Sequence, residues 1–373
     1  MGEVDGNNIL VNGSYINVIS SVENSGRKAD NEHDDNFLAT LFANYHIPNS
    51  DFSLGIGTYT PFGLATTYER DFTRFAAQRT ELRTLYVTAA AAWHPSRFFS
   101  IGAGLSFVHA SGLFTRGLCL DPFAACTTPG GPLEGRLRLT DTANAFAYNL
   151  GVLVKPRDNL KLAFTYRSRV DLRFDSADVK LGGAFSTANV KAQVRPLPLP
   201  AVIDVGAFWR VNDSWALELV YEHTRWGDFK NFTASFSPVP TFVPLSLPVA
   251  GFALPERWKN TSALRVGTSY RPNATWELRG GMVLEEGPIP AKTLNIAIPG
   301  ADLLALSGGV GYQWQKLSID LGYMAVFYKT RKVNNGELEG LPATNPLFFA
   351  GAPGKDKYRT FNNLALLSFN YRF

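Results

Sequence analysis

Cysteine is nearly missing from this chain: Cys119 and Cys126 are the only two among 373 residues. Two cysteines cannot staple a fold of this length, so packing and backbone pairing must hold it. Histidine is scarce too. His33, His46, His94, His109 and His223 are scattered, without the i, i+4 spacing or the cysteine company of a metal site. Long apolar runs are also lacking. No window reaches about 18 consecutive apolar residues, and the most apolar short stretch, Val87 to Trp93, is alanine-rich and too short for a spanning helix. A helical membrane protein is excluded, but a barrel is not, because its strands need only about 10 residues each. The net charge of +4 comes without a dense stripe of Lys or Arg, so no nucleic acid is expected as a partner. Met1 to Asp5 lacks the basic and apolar segments of a secretory signal; an exported protein would stand here in a mature or truncated form.

What is abundant points to strands. Aromatics make up 13% of the chain and glycine numbers 33, a composition suited to sheets and tight turns. From Tyr358 to Phe373, Phe361, Ala365, Leu367, Phe369, Tyr371 and Phe373 share one face, while Thr360, Asn362, Ser368, Asn370 and Arg372 share the other. Leu160, Leu162, Phe164 and Tyr166 alternate with Lys161, Ala163, Thr165 and Arg167 in the same way, as do Trp215, Leu217, Leu219 and Tyr221 with Ala216, Glu218, Val220 and Glu222. This is period-two alternation, with one apolar and one polar side per strand.

Connection lengths then separate a membrane barrel from a soluble sandwich. Short turns fall at His46 to Asp51, His94 to Arg97, Lys155 to Asn159, Val211 to Ser214, Arg271 to Ala274 and Gln313 to Lys316, most of them containing Pro or Asn. Between them run long connections near 24–36, 60–80, 115–140, 176–198, 227–257, 287–302 and 330–357. The alternation gives an all-β, antiparallel transmembrane barrel of about fourteen strands. Both termini lie on the short-turn, periplasmic side, and the long loops face outward. The first strand begins near Ile9, leaving 1–8 as a remnant of an N-terminal segment and 9–373 as one barrel. A large soluble barrel is the competing fold, but charged residues on the polar faces suit a lumen.

Chemistry is hard to find. Gly102-Ala103-Gly104 and Gly308-Gly309-Val310-Gly311 sit inside strand patterns without a following helix and are not phosphate loops. Glu285 and Glu286 are adjacent, hence on opposite faces of a strand, and no motif singles out a serine with a histidine. No catalysis, metal or cofactor is expected. Cys119 and Cys126 fall in one long loop and, in an oxidising compartment, are expected to pair as a disulfide that pins it, with two free thiols as the alternative. The loop from Gly227 to Lys259 is oddly apolar, with Phe236, Phe242 and Leu245 among its residues. Leu113, Phe114, Leu118, Leu120 and Phe123 can complete an apolar entrance with it, either as a ligand surface or as a cap packed on itself. Lys161, Arg167, Arg169 and Arg279 are expected as lumen-facing cations. Thr58 to Gly63 interrupts the end of the third strand with a proline that donates no hydrogen bond and a glycine that permits a bulge, marking either a point where the wall bends or opens or only the turn into a loop.

Several segments, taken in order, resemble the FadL/TodX family of outer-membrane transporters for long-chain fatty acids and hydrocarbons. They are Thr58 to Thr66, Leu162 to Ser168, Tyr221 to Trp226, Leu278 to Met282, Pro288-Ile289-Pro290 and Ile298 to Asp302. The resemblance implies a monomeric barrel in the bacterial outer membrane that captures a hydrophobic small molecule at its outer loops. It releases that molecule sideways into membrane lipid beside a kinked third strand, where Tyr59, Pro61, Phe62 and Gly63 match. The family's capture groove, between the loops after strands five and seven, maps to about 113–135 and 176–198. The terminal Phe373 resembles the aromatic residue that such barrels present to their assembly machinery. The family's N-terminal hatch with its Asn-Pro-Ala segment has no match, since the only Asn-Pro is Asn345-Pro346. Passive uptake of hydrophobic compounds is thus the expected function. A lipase-like barrel enzyme and a structural or adhesive surface barrel are the alternatives.

Overall fold

In a computed structural model the chain forms a closed antiparallel barrel. Described are residues 7–24, 26–32, 35–68, 73–75, 77–119, 134–183, 189–242, 247–334 and 356–373, with backbone alone for Cys119, Phe242 and Leu247. Fourteen strands make the wall: β1 (Asn8–Asn24), β2 (Asp35–His46), β3 in two pieces (Phe52–Tyr59 and Gly63–Thr67), β4 (Arg79–Ser96), β5 (Phe99–Cys119), β6 (Glu134–Arg157), β7 (Leu160–Arg167), β8 (Val202–Arg210), β9 (Trp215–Thr224), β10 (Thr261–Tyr270), β11 (Trp276–Glu285), β12 (Leu303–Trp314), β13 (Leu317–Tyr328) and β14 (Asp356–Arg372). Each pairs with its sequence neighbour, and β14 returns to β1 in unbroken register from Asn8↔Arg372 to Asn24↔Asp356. Closure gives every wall strand a partner on both sides over at least part of its length, which is the condition for spanning with strands. Among the described residues no α-helix occurs, and none could cross a membrane.

All six short turns lie where the sequence places them, and their chemistry is local. Asn212 Oδ1 accepts from the backbone N–H groups of Ser214 and Trp215, both at 2.9 Å, and Asn273 repeats the device with Thr275 and Trp276. Asn49 and Gln315 adopt positive φ of 55° and 53° in two others. An asparagine side chain that bonds its own backbone is the reason these hairpins reverse there. Around this end stands an outward ring of aromatics that includes Trp93, Trp209, Trp215, Trp276 and Trp314, all exposed. Trp215 leans on Tyr270 at 4.7 Å and Trp276 on Tyr312 at 4.9 Å. Such rings suit the headgroup layer.

The outer end is built differently. β5 and β6 run far beyond the membrane band, and Val170–Gly183 pairs with the outer part of β6. Val190–Leu199, Asn231–Ser237 and Gly251–Pro255 then extend that pairing into an outer sheet. The stretches near 115–140 and 176–198, expected as loops, are therefore partly strand. Their alternating Leu137, Leu139, Ala177, Val179, Val190 and Val194 bury one face in a core shared with Leu172 and Phe174.

Candidate outer cavity and wall gap

The third strand breaks where its sequence says it should. Tyr59 pairs with Tyr86 and pairing resumes at Gly63↔Arg83, so Thr60, Pro61 and Phe62 stand against Thr84 and Leu85 as a bulge. Thr84 Oγ1 donates to the Phe62 carbonyl and fixes it. The larger consequence lies on the other edge of the strand. β2 pairs with β3 only from Leu41↔Thr58 to His46↔Ser53. Among the described residues, Asp35 to Thr40 pair only with β1, and Gly63–Thr67 only with β4. The wall therefore has a gap, bounded below by Leu41↔Thr58. Above, the Glu32 N–H donates to the Thr67 carbonyl at 2.9 Å and the Thr67 N–H to Asn31 Oδ1 at 2.8 Å.

A cavity of about 1320 Å³ leads to this gap. Its walls include the lumen-facing Ile16 and Val18, the gap residues Pro61, Phe62 and Gly63, and the lipid-facing Phe37, which is 77% exposed. Outward it reaches Phe114, Phe174, Phe232 and Trp258. Trp226 lies 5.8 Å edge-on to Phe62 and 4.9 Å from Trp258, linking the gap to the outer aromatics. Beside the gap, Phe42 stacks on Tyr59 at 6.0 Å and Tyr59 on Tyr86 at 5.5 Å, with the Arg167 guanidinium 5.7 Å from the Tyr59 ring. The Phe42 ring lies so close over Gly57 that a Cβ there would sit 2.5 Å from it, so only glycine admits this stack.

The long connection between β11 and β12 folds inward across the mouth. Its Ile289, Leu294, Ile296 and Ala297 are buried with Val22, Tyr68, Phe229, Trp258 and Tyr358 in a second core. Thr66 Oγ1, on the far piece of β3, donates to the Ala297 carbonyl at 2.9 Å, and Thr293 Oγ1 donates to the Glu256 carbonyl at 2.7 Å. The loop thus bridges from the β10 side to the edge of the gap. Within this core Glu256 is 3% exposed and borders the cavity, its Oε2 accepting the Trp258 indole N–H at 2.9 Å. Burial pushes its carboxyl up to about 7, against the hydrogen bonds from Trp258 and Asn295.

The residues singled out from the sequence separate into groups. Tyr59, Pro61, Phe62 and Gly63 lie at the gap. Of the apolar entrance, Leu113 and Phe114 border the cavity, whereas Leu118 and Phe236 are packed behind it. Leu120, Phe123, Cys126, Leu245, Asn345 and the side chains of Cys119 and Phe242 lie outside the described residues, and with them the disulfide. The four cations do not converge. Lys161 rests 5.1 Å from the Phe208 ring, and Arg279 bridges Glu277 and Asp320 low in the lumen at 2.8 and 2.5 Å. Arg169 departs from the expected lumen position. The irregular Ser168–Arg169 step breaks the strand's alternation, and Arg169 pairs at the outer rim with Asp171 at 2.6 Å and Asp228 at 3.0 Å. Its neighbour Val170 instead enters the outer core.

Sequence reasoning missed the inward loop, Glu256 and the buried Arg116. The alternation of Leu294, Ile296 and Ile298 between prolines was the available signal for the loop. Two of the scattered histidines also meet: His46 Nδ1 and His94 Nε2 each lie 3.1 Å from Ser53 Oγ. Among the described residues no cluster of three metal-ligating side chains forms.

Comparison with known proteins agrees with this architecture. The chain matches, over residues 3–373, the model of a family described as outer membrane protein transport protein (OMPP1/FadL/TodX). It is 26% identical over 353 residues to the long-chain fatty acid transport protein of Escherichia coli K12, covering 85% of this chain and 77% of that one. Outer membrane protein P1 of Haemophilus influenzae is 24% identical over 378 residues, covering 95% and 79%. Among solved structures, a FadL homologue of Pseudomonas aeruginosa superposes with a TM-score of 0.83 at 19% identity, covering all of this chain and 91% of that one. The toluene transporter TodX of Pseudomonas putida gives 0.73 at 18%, covering 99% and 91%. A fourteen-stranded barrel whose whole length fits one family model leaves a single assignment: this chain is a member of the OMPP1/FadL/TodX family of outer membrane transport proteins, a transporter of the outer membrane and not an enzyme.

Proposed function

We propose that the protein takes up hydrophobic molecules, long-chain fatty acids or hydrocarbons, through its outer cavity and releases them sideways through the gap between β2 and β3. The observation that carries this reading is the continuity of one largely apolar cavity from the outer aromatics to the lipid-facing Phe37. A greasy ligand gains by leaving water for such a cavity, and a lateral exit spares it a second exposure to water on the periplasmic side. The relatives' names point to the same substrates: long-chain fatty acid transport for the Escherichia coli protein, toluene transport for TodX. In this reading the barrel acts as a monomer, and Phe373, whose N–H donates to the Asn7 carbonyl at 3.0 Å, serves recognition by the assembly machinery.

The test is uptake of a labelled long-chain fatty acid and of a labelled aromatic hydrocarbon by cells with and without the protein. Faster uptake of either with the protein is expected, and a hydrophobic molecule should be recovered by mass spectrometry from purified barrels. Equal rates would sink the reading.

A further inference from the structure

Glu256 is anomalous among the charged groups on the cavity wall. Asp35 accepts from the Tyr15 hydroxyl at 2.6 Å, Glu81 is paired with arginines, and Glu285 faces Arg265 at 3.9 Å. Asp35 and Asp141 also meet only neutral donors but lie exposed or half-buried; Glu256 is the one buried carboxylate among the described residues of this wall, and it makes no ion pair among them. Its carboxylate is held only by neutral donors, the Trp258 indole and Asn295. Two donors do not exhaust a carboxylate, which has about four lone-pair positions. The surrounding side chains are apolar, so a ligand entering here strips water from those remaining positions. Leaving them empty is costly, and bringing up a second negative charge costs more.

The cavity's cations do not compensate. Arg116 is 7% exposed and donates through Nη2 to the Phe75 carbonyl, Arg83 lies 3.4 Å from Glu81, and Arg265 lies 2.8 Å from Glu222. Each is already engaged by an acceptor of the protein itself.

Resting on the transport reading above, we propose that Glu256 sets the specificity of the outer cavity, favouring hydrophobic molecules whose polar end is a neutral hydrogen-bond donor, such as a long-chain alcohol or a phenol, over those ending in a carboxylate. The hydroxyl supplies the donor that the carboxylate loses on dehydration. A plain hydrocarbon supplies nothing and binds less well; a carboxylate is repelled.

The experiment compares 1-dodecanol, dodecane and dodecanoate on the purified barrel in nanodiscs at about pH 8, read by the fluorescence of its tryptophans, two of which (Trp226 and Trp258) flank the site. In the unmodified protein, 1-dodecanol is expected to bind about tenfold more tightly than dodecanoate, the scale of one hydrogen bond to a charged group. Glu256→Gln keeps the shape and one acceptor oxygen but removes the charge, so dodecanoate should gain several-fold while 1-dodecanol changes little. Glu256→Leu should erase the preference for the alcohol and improve dodecane. Dodecanoate binding as tightly as 1-dodecanol, or a Glu256→Gln ratio equal to that of the unmodified protein, overturns the proposal and leaves the transport reading standing. Binding of none of the three would overturn both. Glu256→Gln, being nearly isosteric, decides the matter even where Glu256→Leu fails to fold.

Discussion

Two seams of the same barrel, separated by the β1–β2 pair, are closed to very different extents. β1 and β14 are zipped from Asn8↔Arg372 to Asn24↔Asp356, the full length of both strands. β2 and β3 stop at Leu41↔Thr58, and beyond that point the two edges separate. Unpaired backbone in hydrocarbon is expensive, so a gap persists only where it meets polar side chains, a protein-lined cavity or a ligand. The gap here opens on the cavity, is held at its top by Thr67 and Asn31, and is roofed by the loop that Thr66 and Glu256 anchor. The first seam exists to close the sheet; the second is kept open at one height.

The largest effect is expected from breaking the closed seam. Leu366 lies mid-strand in β14, opposite Ser14 of β1 on one side and Gly322 of β13 on the other. Leu366→Pro removes a ladder donor and forces the strand to bend, so no folded, membrane-inserted barrel should be recovered. Proline already stands at position 61 beside the gap without preventing the fold. Normal insertion of Leu366→Pro would mean that the two seams do not differ as described.

The roof of the gap is expected to respond to pH. The Glu256 carboxyl is raised in the fold from an ordinary 4.5 to about 7, chiefly by burial. The closed state therefore holds its proton more tightly than an opened loop does. Closure is firmest below about 4.5 and weakens as pH rises through about 7, by an upper limit of about 3 kcal/mol. Hydrogen exchange of residues 289–298, corrected for the intrinsic rate, should show protection falling over that window, while Glu256→Gln gives a flat profile. A flat profile in the unmodified protein would detach Glu256 from the roof.

Filling the open seam is the next test. Gly63 borders the cavity, and its nearest neighbours, the Leu82 carbonyl at 3.7 Å and Thr60 at 4.0 Å, leave room for a side chain. Gly63→Trp should obstruct the gap and lower uptake about tenfold while leaving ligand binding at the outer aromatics within about twofold. Uptake and binding falling together would place Gly63 in the capture site instead.

How much of this was legible in the sequence follows from how local each cause is. Asn212 and Asn273 reverse the chain by bonding to residues two and three positions on, and alternation marks a strand within its own segment. Turns, strands and barrel closure were therefore readable. Pro61 announced the break in β3, but the missing β2–β3 pairing depends on two edges meeting and was not. Glu256 was invisible because a carboxylate in a long loop is ordinarily hydrated; only the fold places Trp258, Thr293 and Asn295 around it. Arg169 was misplaced because alternation cannot be carried through the irregular Ser168–Arg169 step.

The smallest effect should come from the lower lumen, and its smallness is informative. There Arg279 bridges Glu277 and Asp320, and Arg271 also reaches Glu277 at 3.3 Å. Gly311 makes room for this network, since a Cβ would lie 2.6 Å from the Asp320 carboxylate. These groups face an aqueous lumen and are partly exposed, so the pairs contribute little to stability. They would also be poor company for an apolar ligand, which would have to dehydrate them to pass. If the ligand leaves through the open seam, it never meets Arg279, and Arg279→Met should change hydrocarbon uptake by less than about twofold. If Arg279→Met and Gly63→Trp alter uptake equally, the ligand runs down the barrel axis, and the gap between β2 and β3 is not its exit.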